Sequence, residues 1–305
     1  MALTEYDFIL KDRVQKIQTM TEYDFISKGF ISFSGGKDST VLHYLMDMAI
    51  PGNRIPRVYF NTGIEYKKVL QYVKNLAATD DRIVIVNSGI NIRSMLEEVG
   101  YPFKSKEHSQ KVSYYQHSGM GKTVLNYLGQ EDKKDFLCPE KLKYNFTPEF
   151  PLKVSDKCCY RLKKEPSEKW SRENNKTITI TGVRQKEGGL RTSMQGCAVF
   201  YDSGCKSLKK FHPLFPLEDW WLNEFIRQNK IRLCELYYPP YNFKRTGCVC
   251  CPFSVDLQEQ LDLLSVYIPE ERKRAEYLWK PVYKEYRRIG YRLRPLGLFD
   301  TEFVK

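Results

Sequence analysis

The chain has 305 residues, of which 42% are hydrophobic, and it carries a formal net charge of +12 at pH 7. This composition allows one large core or two smaller ones. No apolar stretch approaches the ~20 residues that a membrane span needs, which argues against a membrane or secreted protein and predicts a cytoplasmic one. The positive charge favours an anionic partner, either nucleotide phosphates or a nucleic-acid backbone.

Helices and strands alternate along the first part of the chain. Amphipathic or one-sided apolar spacing predicts helices at 4–28, 41–49 and 66–77. Short β-branched or aromatic runs predict strands at 30–34, 57–61, 82–87 and 177–181. This order is typical of parallel βαβ units, so we predict an α/β fold. In parallel sheets ligands bind at the carboxyl ends of the strands. The segments SGGKDS, NTGIE and TGVRQKE each follow a strand, so we expect them to face one pocket.

The predicted domain organisation has a nucleotide-binding α/β domain at 1–213 and a helical lobe at 214–305. Residues 100–150 are polar, basic and poorly periodic, which indicates an insertion with short helices that covers the site. The late basic segment 271–295 contains Tyr277, Tyr283 and Tyr286 at helical spacing. These tyrosines form either a packed face or part of a nucleic-acid surface. His43 and His108 are assigned structural roles.

The segment 34-SGGKDS-39 has the composition of an anion-binding turn. Gly35 and Gly36 allow a backbone in which N–H groups approach an anion closely. The following helix adds its positive dipole end, and Lys37 adds a full charge. Ser34 and Ser39 can donate hydroxyl hydrogen bonds, while Asp38 can hold Mg²⁺ or cap the helix.

This segment resembles the pyrophosphate-binding loop of the PP-loop ATP pyrophosphatase superfamily, which has a Rossmann-like, HUP-type fold. Five more segments, in order, resemble motifs of the phosphoadenosine phosphosulfate (PAPS) reductase family. They are NTGIE at 61–65, SDKCCYRLKKEP at 155–166, GVRQKEGGLR at 182–191, PLEDWWLNEFI at 216–226 and TGCVCCPF at 246–253. Asn61 stands where that family usually has aspartate, and Leu162 where it usually has arginine.

The resemblance implies two overlapping sets of site residues. The implied nucleotide-binding residues are Ser32, Ser34, Gly35, Gly36, Lys37, Asp38, Ser39, Asn61, Glu65, Gly182, Arg184 and Glu187. The implied catalytic residues are Lys37, Asp38, Arg184 and Arg191. Arginine suits phosphate or sulfate because its fork binds two oxygens at once. The alternative for the arginines is surface ion pairing.

Nine cysteines in a chain without secretory features favour metal or sulfur chemistry over disulfides. Adjacent Cys158 and Cys159 are awkward for zinc, whose ligands are usually spaced further apart. With Cys248 and Cys251 they resemble the [4Fe–4S] signature of the family's iron–sulfur branch. Zinc or free structural thiols remain the alternatives, and Cys250 is a possible substitute ligand. Cys138, Cys197, Cys205 and Cys234 have no motif partner.

The favoured function is cleavage of ATP, with Mg²⁺, to AMP and pyrophosphate, which activates an acceptor for sulfur transfer. Candidate partners are a nucleic-acid acceptor and a sulfur-donor protein. The alternative is a sulfonucleotide reductase that acts on PAPS and releases sulfite. The reductases carry a nucleophilic cysteine near the C-terminus, and this sequence has none after Cys251. A non-catalytic nucleotide sensor is the third reading.

Overall fold

A six-stranded sheet with the strand order β3-β2-β1-β4-β6-β5 organises the fold. The computed structural model describes residues 3–130, 137–187, 196–202, 204 and 206–303. The strands are β1 Gly29–Ser32, β2 Arg57–Asn61, β3 Ile83–Asn87, β4 Ile178–Ile180, β5 Ala198–Phe200 and β6 Leu208–Phe211. All neighbouring strands are parallel except β5, which pairs antiparallel with β6. The predicted α/β class with a mainly parallel sheet is confirmed.

Helices flank and follow the strands. They are α1 Glu5–Thr19, α2 Phe25–Lys28, α3 Lys37–Ala49, α4 Lys67–Ala77, α5 Ile92–Val99, α6 Lys106–Ser118, α7 Lys122–Leu128, α8 Glu165–Glu173, α9 Asp219–Gln228, α10 Leu257–Tyr267, α11 Pro269–Leu278 and α12 Lys280–Arg288. A π-helical turn at Tyr160–Lys164 leads into α8. Within the described ranges, no helix combines the length and the apolar character that crossing a membrane requires.

The helix predicted at 4–28 is divided into two. α1 begins with a capping box between Thr4 and Asp7, and it ends at Thr19. A 3-10 turn then leads to Asp24, which adopts a left-handed backbone with φ 60°. This conformation cannot continue a right-handed helix, so α2 starts anew at Phe25. The two strands β5 and β6 were not predicted, because each is short and β6 exposes both of its central lysines.

The chain forms two compact units. The first contains residues 1–61, 67–88 and 166–246, and the second contains 62–66, 89–165 and 247–305. This division differs from the predicted boundary after residue 213, since the segment around α9 lies in the first unit. There Trp221, Leu222 and Phe225 share one apolar core with Ile31 and Val41.

In the second unit, aromatic side chains hold the loop at 249–252. The indole N–H of Trp279 donates to the carbonyl of Val249 at 2.9 Å. The hydroxyl of Tyr286 donates to the carbonyl of Pro252 at 3.0 Å. The hydroxyl of Tyr283 donates to the carbonyl of Cys250. Tyr283 and Tyr286 are fully buried, whereas Tyr277 is 60% exposed. Two of the three late tyrosines therefore belong to a packed face.

Candidate functional site

The turn between β1 and α3 in the first unit is held by close packing at its glycines. Gly35 has φ +68°, and a Cβ atom there would lie 2.8 Å from Cγ2 of Val73. A Cβ atom at Gly182, after β4, would lie 3.0 Å from the backbone carbonyl of Asp38. Glycine adopts the left-handed backbone of Gly35 without strain, and neither position has room for a Cβ atom without displacement of its neighbour. The first turn of α3 is therefore fixed against the segment that follows β4.

Hydroxyl groups satisfy the amides of this turn. The Ser34 N–H donates to Oγ of Ser39 at 3.2 Å, and Ser39 in turn donates to the carbonyl of Gly36 at 3.0 Å. The Lys37 N–H donates to the Tyr237 hydroxyl at 3.0 Å. That hydroxyl also lies 2.9 Å from Oγ1 of Thr246. No sequence pattern marks Tyr237, while Thr246 opens the TGCVCCPF motif.

Arg184 connects two carboxylates at the first turns of α3 and α9. Its Nε donates to Oδ1 of Asp38 at 2.6 Å, and its Nη2 donates to Oδ1 of Asp219 at 2.8 Å. Burial alone would lower the pKa of Arg184, but the charges of both carboxylates outweigh it and raise the pKa. The hydrogen bond from Arg184 lowers the pKa of Asp219. Three charged groups thus form one buried or half-buried network.

Lys37 belongs to the same group of charges. Its ammonium lies 4.0 Å from Oδ1 of Asp219, and 20% of its side chain is exposed. The site therefore collects two cations, two carboxylates and the N-terminus of α3. Sequence analysis missed Asp219 as a site residue, although it stands within the PLEDWWLNEFI motif. The alternative role for Arg184, ion pairing, is present in the structure, but only 6% of its side chain is exposed, so the pairs are not at the surface.

The remaining predicted residues of the first unit lie at strand ends or outside the described residues. Ser32 is the last residue of β1, paired with Val58 of β2. Asn61 ends β2, and its amide donates to Oδ1 of Asn87 at 2.8 Å. Glu187 ends a 3-10 turn, and its side chain is outside the described part of the structure. Arg191 is outside the described residues altogether.

Glu65 belongs to the second unit, where its carboxylate is engaged by protein groups. Oε2 accepts from the N–H of Thr62 at 3.2 Å and from its hydroxyl at 2.6 Å. Oε1 lies 3.4 Å from the ammonium of Lys163. The backbone of Glu65 forms an isolated antiparallel bridge with Cys248. These contacts place the Glu65–Lys163 pair beside the predicted metal-binding cysteines.

The four predicted metal-binding cysteines share one neighbourhood in the second unit. The hydrogen bond between Cys158 and Cys159 lowers the pKa of Cys159 and raises the pKa of Cys158. The charges of Cys251 and Cys248 also raise the pKa of Cys158. Burial raises the pKa of Cys248 to about 11 and raises that of Cys251. The charge of Cys248 is the main cause that raises the pKa of Lys163.

These thiols fit an iron–sulfur cluster or zinc by donor type. Among the residues that the structure describes, however, no group of three or more histidine, cysteine or acidic side chains is arranged to hold a metal ion. The four thiols therefore lie near one another, but their described positions do not form a complete set of metal ligands. Cys250 is fully buried, and its sulfur lies 3.9 Å from the hydroxyl of Tyr66.

Both predicted structural histidines are buried in polar networks. Nδ1 of His43 accepts from Nε of Arg57 at 3.2 Å, so the ring proton of the neutral form is on Nε2. Nε2 faces the carboxylates of Asp47 at 3.8 Å and Asp80 at 3.9 Å. Burial is the main cause that lowers the pKa of His43 to about 4, and the charge of Arg57 is the second. The sequence did not show that two acids approach this histidine.

His108 contacts Tyr127 and Asn145, each at 3.0 Å. Burial lowers its pKa to about 3.

Comparison with known proteins places most of this chain within one family model. The model, described as the phosphoadenosine phosphosulfate reductase domain, matches residues 28–123 and 122–254. A curated relative, an uncharacterized protein of Methanocaldococcus jannaschii, is 23% identical over 232 residues. That match covers 74% of this chain and 42% of the relative, so the chain spans less than half of the relative's length.

Two solved structures show weak similarity. The phosphoadenylyl-sulfate (PAPS) reductase of Candida auris, in a phosphate complex, is 14% identical with a TM-score of 0.45, covering 81% of this chain and 97% of its own. The U34-tRNA thiolase of Methanococcus maripaludis, with its [4Fe-4S] cluster, is 13% identical with a TM-score of 0.38. That match covers 93% of this chain and 80% of the thiolase.

Proposed function

Because this chain belongs to the phosphoadenosine phosphosulfate reductase domain family, we propose that it binds an adenine nucleotide at the turn between β1 and α3 and cleaves ATP to AMP and pyrophosphate. The cleavage activates an acceptor for sulfur transfer. Candidate partners are a nucleic-acid acceptor and a sulfur-donor protein. The proposed catalytic residues are Lys37, Asp38, Arg184 and Arg191.

One observation carries this proposal: Arg184 and Lys37 gather with Asp38 and Asp219 at the start of α3. A helix N-terminus beside two fixed cations favours an anion such as a phosphate chain. The two carboxylates balance these cations and hold them in place. An arginine that is already oriented by two partners loses little entropy when it binds a phosphate oxygen.

The proposed reaction is a displacement at the α-phosphorus of ATP. An oxygen of the acceptor forms a bond to that phosphorus, and the bond to the oxygen bridging toward the β-phosphorus breaks. Pyrophosphate leaves with the electron pair, and Lys37 and Arg184 stabilise the negative charge on it. Sulfide (HS⁻), supplied by a donor, then attacks the acceptor carbon that bears the activated oxygen. The bond between that carbon and the oxygen breaks, AMP leaves with the oxygen and the electron pair, and the sulfur gives up its proton.

Two groups outside the polypeptide complete the proposal. Asp38 and Asp219 supply carboxylate oxygens, which are suitable donors for Mg²⁺. Mg²⁺ would supply further positive charge for the departing pyrophosphate. Cys158, Cys159, Cys248 and Cys251 would hold a [4Fe–4S] cluster, which would supply a site for binding or delivering sulfur. Zinc is the less favoured occupant of those thiols.

Pyrophosphate release from ATP, measured with and without candidate acceptors, tests the proposal. Release by the wild type is expected, with loss in Lys37→Ala. The matched control is Lys74→Ala, a change at an exposed lysine of α4 in the same unit. Full activity of Lys37→Ala would contradict the role of this lysine. Sulfite release from PAPS without ATP cleavage would replace the proposal with reduction. Nucleotide binding without either product would indicate a sensor.

A further inference from the structure

The second unit contains a cavity of about 770 Å³ that the proposed ATP reaction leaves unassigned. It is formed by the end of α5, one side of α6 and the segment 156–164. Its size is within the range of pockets that bind small molecules or parts of larger ligands. One wall contains Cys159, a member of the cysteine group described above.

Positive charge dominates the lining of this cavity. Lys106, Lys157, Arg161 and Lys164 line it together with two carboxylates, Glu98 and Asp156. Four cations and two anions give the lining a net charge of about +2.

Three of the four cations remain available to a ligand. Arg161 is paired with Glu165 at 3.3 Å. The ammonium groups of Lys106, Lys157 and Lys164 have no ion pair within the described residues, and these lysines are exposed. Exposed ammonium groups without acidic partners favour an anionic ligand.

Aromatic surface accompanies the positive charge. Tyr114 and Tyr160 line the cavity and are 47% and 45% exposed. Large aromatic side chains are usually more buried than this in a monomeric unit. Exposed aromatic rings between phosphate-binding cations are typical of sites for single-stranded nucleic acid, where bases stack on the rings. A plain anion such as sulfate would need the lysines but would not need the tyrosines.

We propose that this cavity binds a segment of single-stranded nucleic acid, with the backbone phosphates on Lys106 and Lys164 and one base against Tyr114. The inference rests on the proposed function in one respect: the bound strand would be the acceptor for sulfur, presented beside Cys159. Binding itself needs neither ATP nor turnover. The position of Cys159 in the wall of the cavity is the reason to assign the acceptor here.

The test is direct binding to the full chain, without ATP. Fluorescence anisotropy would follow labelled oligouridylate and oligothymidylate of about 12 nucleotides, a length within the usual site sizes. The double variant Lys106→Ala, Lys164→Ala is expected to bind about tenfold more weakly. Removing two phosphate contacts should also make the slope of log affinity against log salt shallower by about 1.4. Lys122→Ala, at an exposed lysine of α7 outside the cavity lining, is the matched control and should bind as the wild type does.

A second variant tests the stacking contribution. Tyr114→Leu keeps an apolar side chain and is expected to weaken binding about tenfold at unchanged salt slope, because base stacking is not electrostatic in origin. Tyr267→Leu, at a tyrosine that is 46% exposed outside the cavity lining, is its control. Photocrosslinking with an oligonucleotide that carries 5-iodouracil should label 106–117 or 157–164.

Several results would overturn the inference. They are no binding of either oligonucleotide by the wild type, equal binding by the cavity variants and their controls, or crosslinks confined to other segments. Binding of AMP as tight as that of the oligonucleotides, lost in the same variants, would assign the cavity to a free nucleotide instead. Failure of pyrophosphate release leaves the binding results unchanged, so it would contradict the proposed function separately.

Discussion

The guanidinium of Arg184 lies between Asp38 and Asp219 and donates to one at 2.6 Å and to the other at 2.8 Å. The three residues come from the first turn of α3, the segment after β4 and the first turn of α9. Removing the arginine would leave two carboxylates near each other, of which Asp219 keeps Lys37 and Lys186 within 4.0 Å. Both stability and the proposed anion site therefore depend on one side chain.

We predict that Arg184→Ala lowers the free energy of unfolding by about 3 kcal/mol, since it leaves partly buried charges without their main partner. Pyrophosphate release should fall at least about 100-fold. Urea denaturation and a pyrophosphate assay measure the two effects. The control is Arg227→Ala, which breaks an exposed pair with Glu224 and should cost no more than about 1 kcal/mol. Equal losses of unfolding free energy and of pyrophosphate release in both variants would contradict the role of Arg184 as a bridge between the two carboxylates.

Tyr237→Phe should have opposite effects on the free protein and on its complex with pyrophosphate. The Tyr237 hydroxyl accepts from the Lys37 N–H at 3.0 Å. Without it, that amide loses its partner, so stability should fall by about 1 kcal/mol. Pyrophosphate would then supply an acceptor without displacing the hydroxyl, so its affinity should rise. Calorimetric titration with pyrophosphate checks this, and weaker binding would show that the hydroxyl shapes the site instead.

Gly182→Ala is expected to displace the start of α3. The new Cβ atom would lie 3.0 Å from the backbone carbonyl of Asp38, which cannot move without moving the helix. We expect a loss of about 1–3 kcal/mol in unfolding free energy and a large loss of pyrophosphate release. Gly196→Ala, where a Cβ atom meets nothing within 4 Å, is the control. A fully active Gly182→Ala protein would show that the close approach is not needed.

Stability should decrease as the pH falls below 6.5. Burial lowers the pKa of His43 from 6.5 to about 4 and that of His108 to about 3. Between those values and 6.5 the unfolded chain holds protons that the native protein lacks, so acid favours unfolding. Each histidine contributes a slope of up to about 1.4 kcal/mol per pH unit.

Urea denaturation from neutral pH to about pH 4 measures this slope. The slope of stability against pH in the variant His43→Gln should be smaller by up to about 1.4 kcal/mol per pH unit, the contribution of one histidine. His117→Gln, at an exposed histidine, is the control. An unchanged slope in His43→Gln would contradict a neutral His43 in the native protein.

Anaerobic reconstitution should load about four iron and four sulfide per chain, with visible charge-transfer absorbance. Cys248→Ser is predicted to abolish this, whereas Cys250→Ser should retain it, because Cys250 is buried beside Tyr66. Cys197→Ser, at a half-buried cysteine outside the group, is the general control. Iron and sulfide analysis measures the cluster content of all three variants. Stoichiometric zinc in the wild type, or loss of the cluster in Cys250→Ser, would contradict the assignment.

The sequence by itself predicted the parallel α/β sheet and the turn that joins β1 to α3. These depend on local signals, because a short apolar run, two glycines and a one-sided helix are contiguous in the chain. It did not predict β5 and β6, since β6 carries exposed lysines and its strand character comes from pairing with β4 and β5. It also predicted one long helix where Asp24 takes a left-handed backbone.

Only the tertiary structure decided which distant residues meet. Asp219 and Tyr237 reach the glycine turn because α9 and the segment after it lie in the same unit as β1. Tyr283 and Tyr286 are buried, while Tyr114 is exposed in a basic cavity, although all three lie in helices. The physical reason is that burial and charge partners are set by chain segments far apart in sequence. Local patterns fix helices and strands, but not which faces become enclosed.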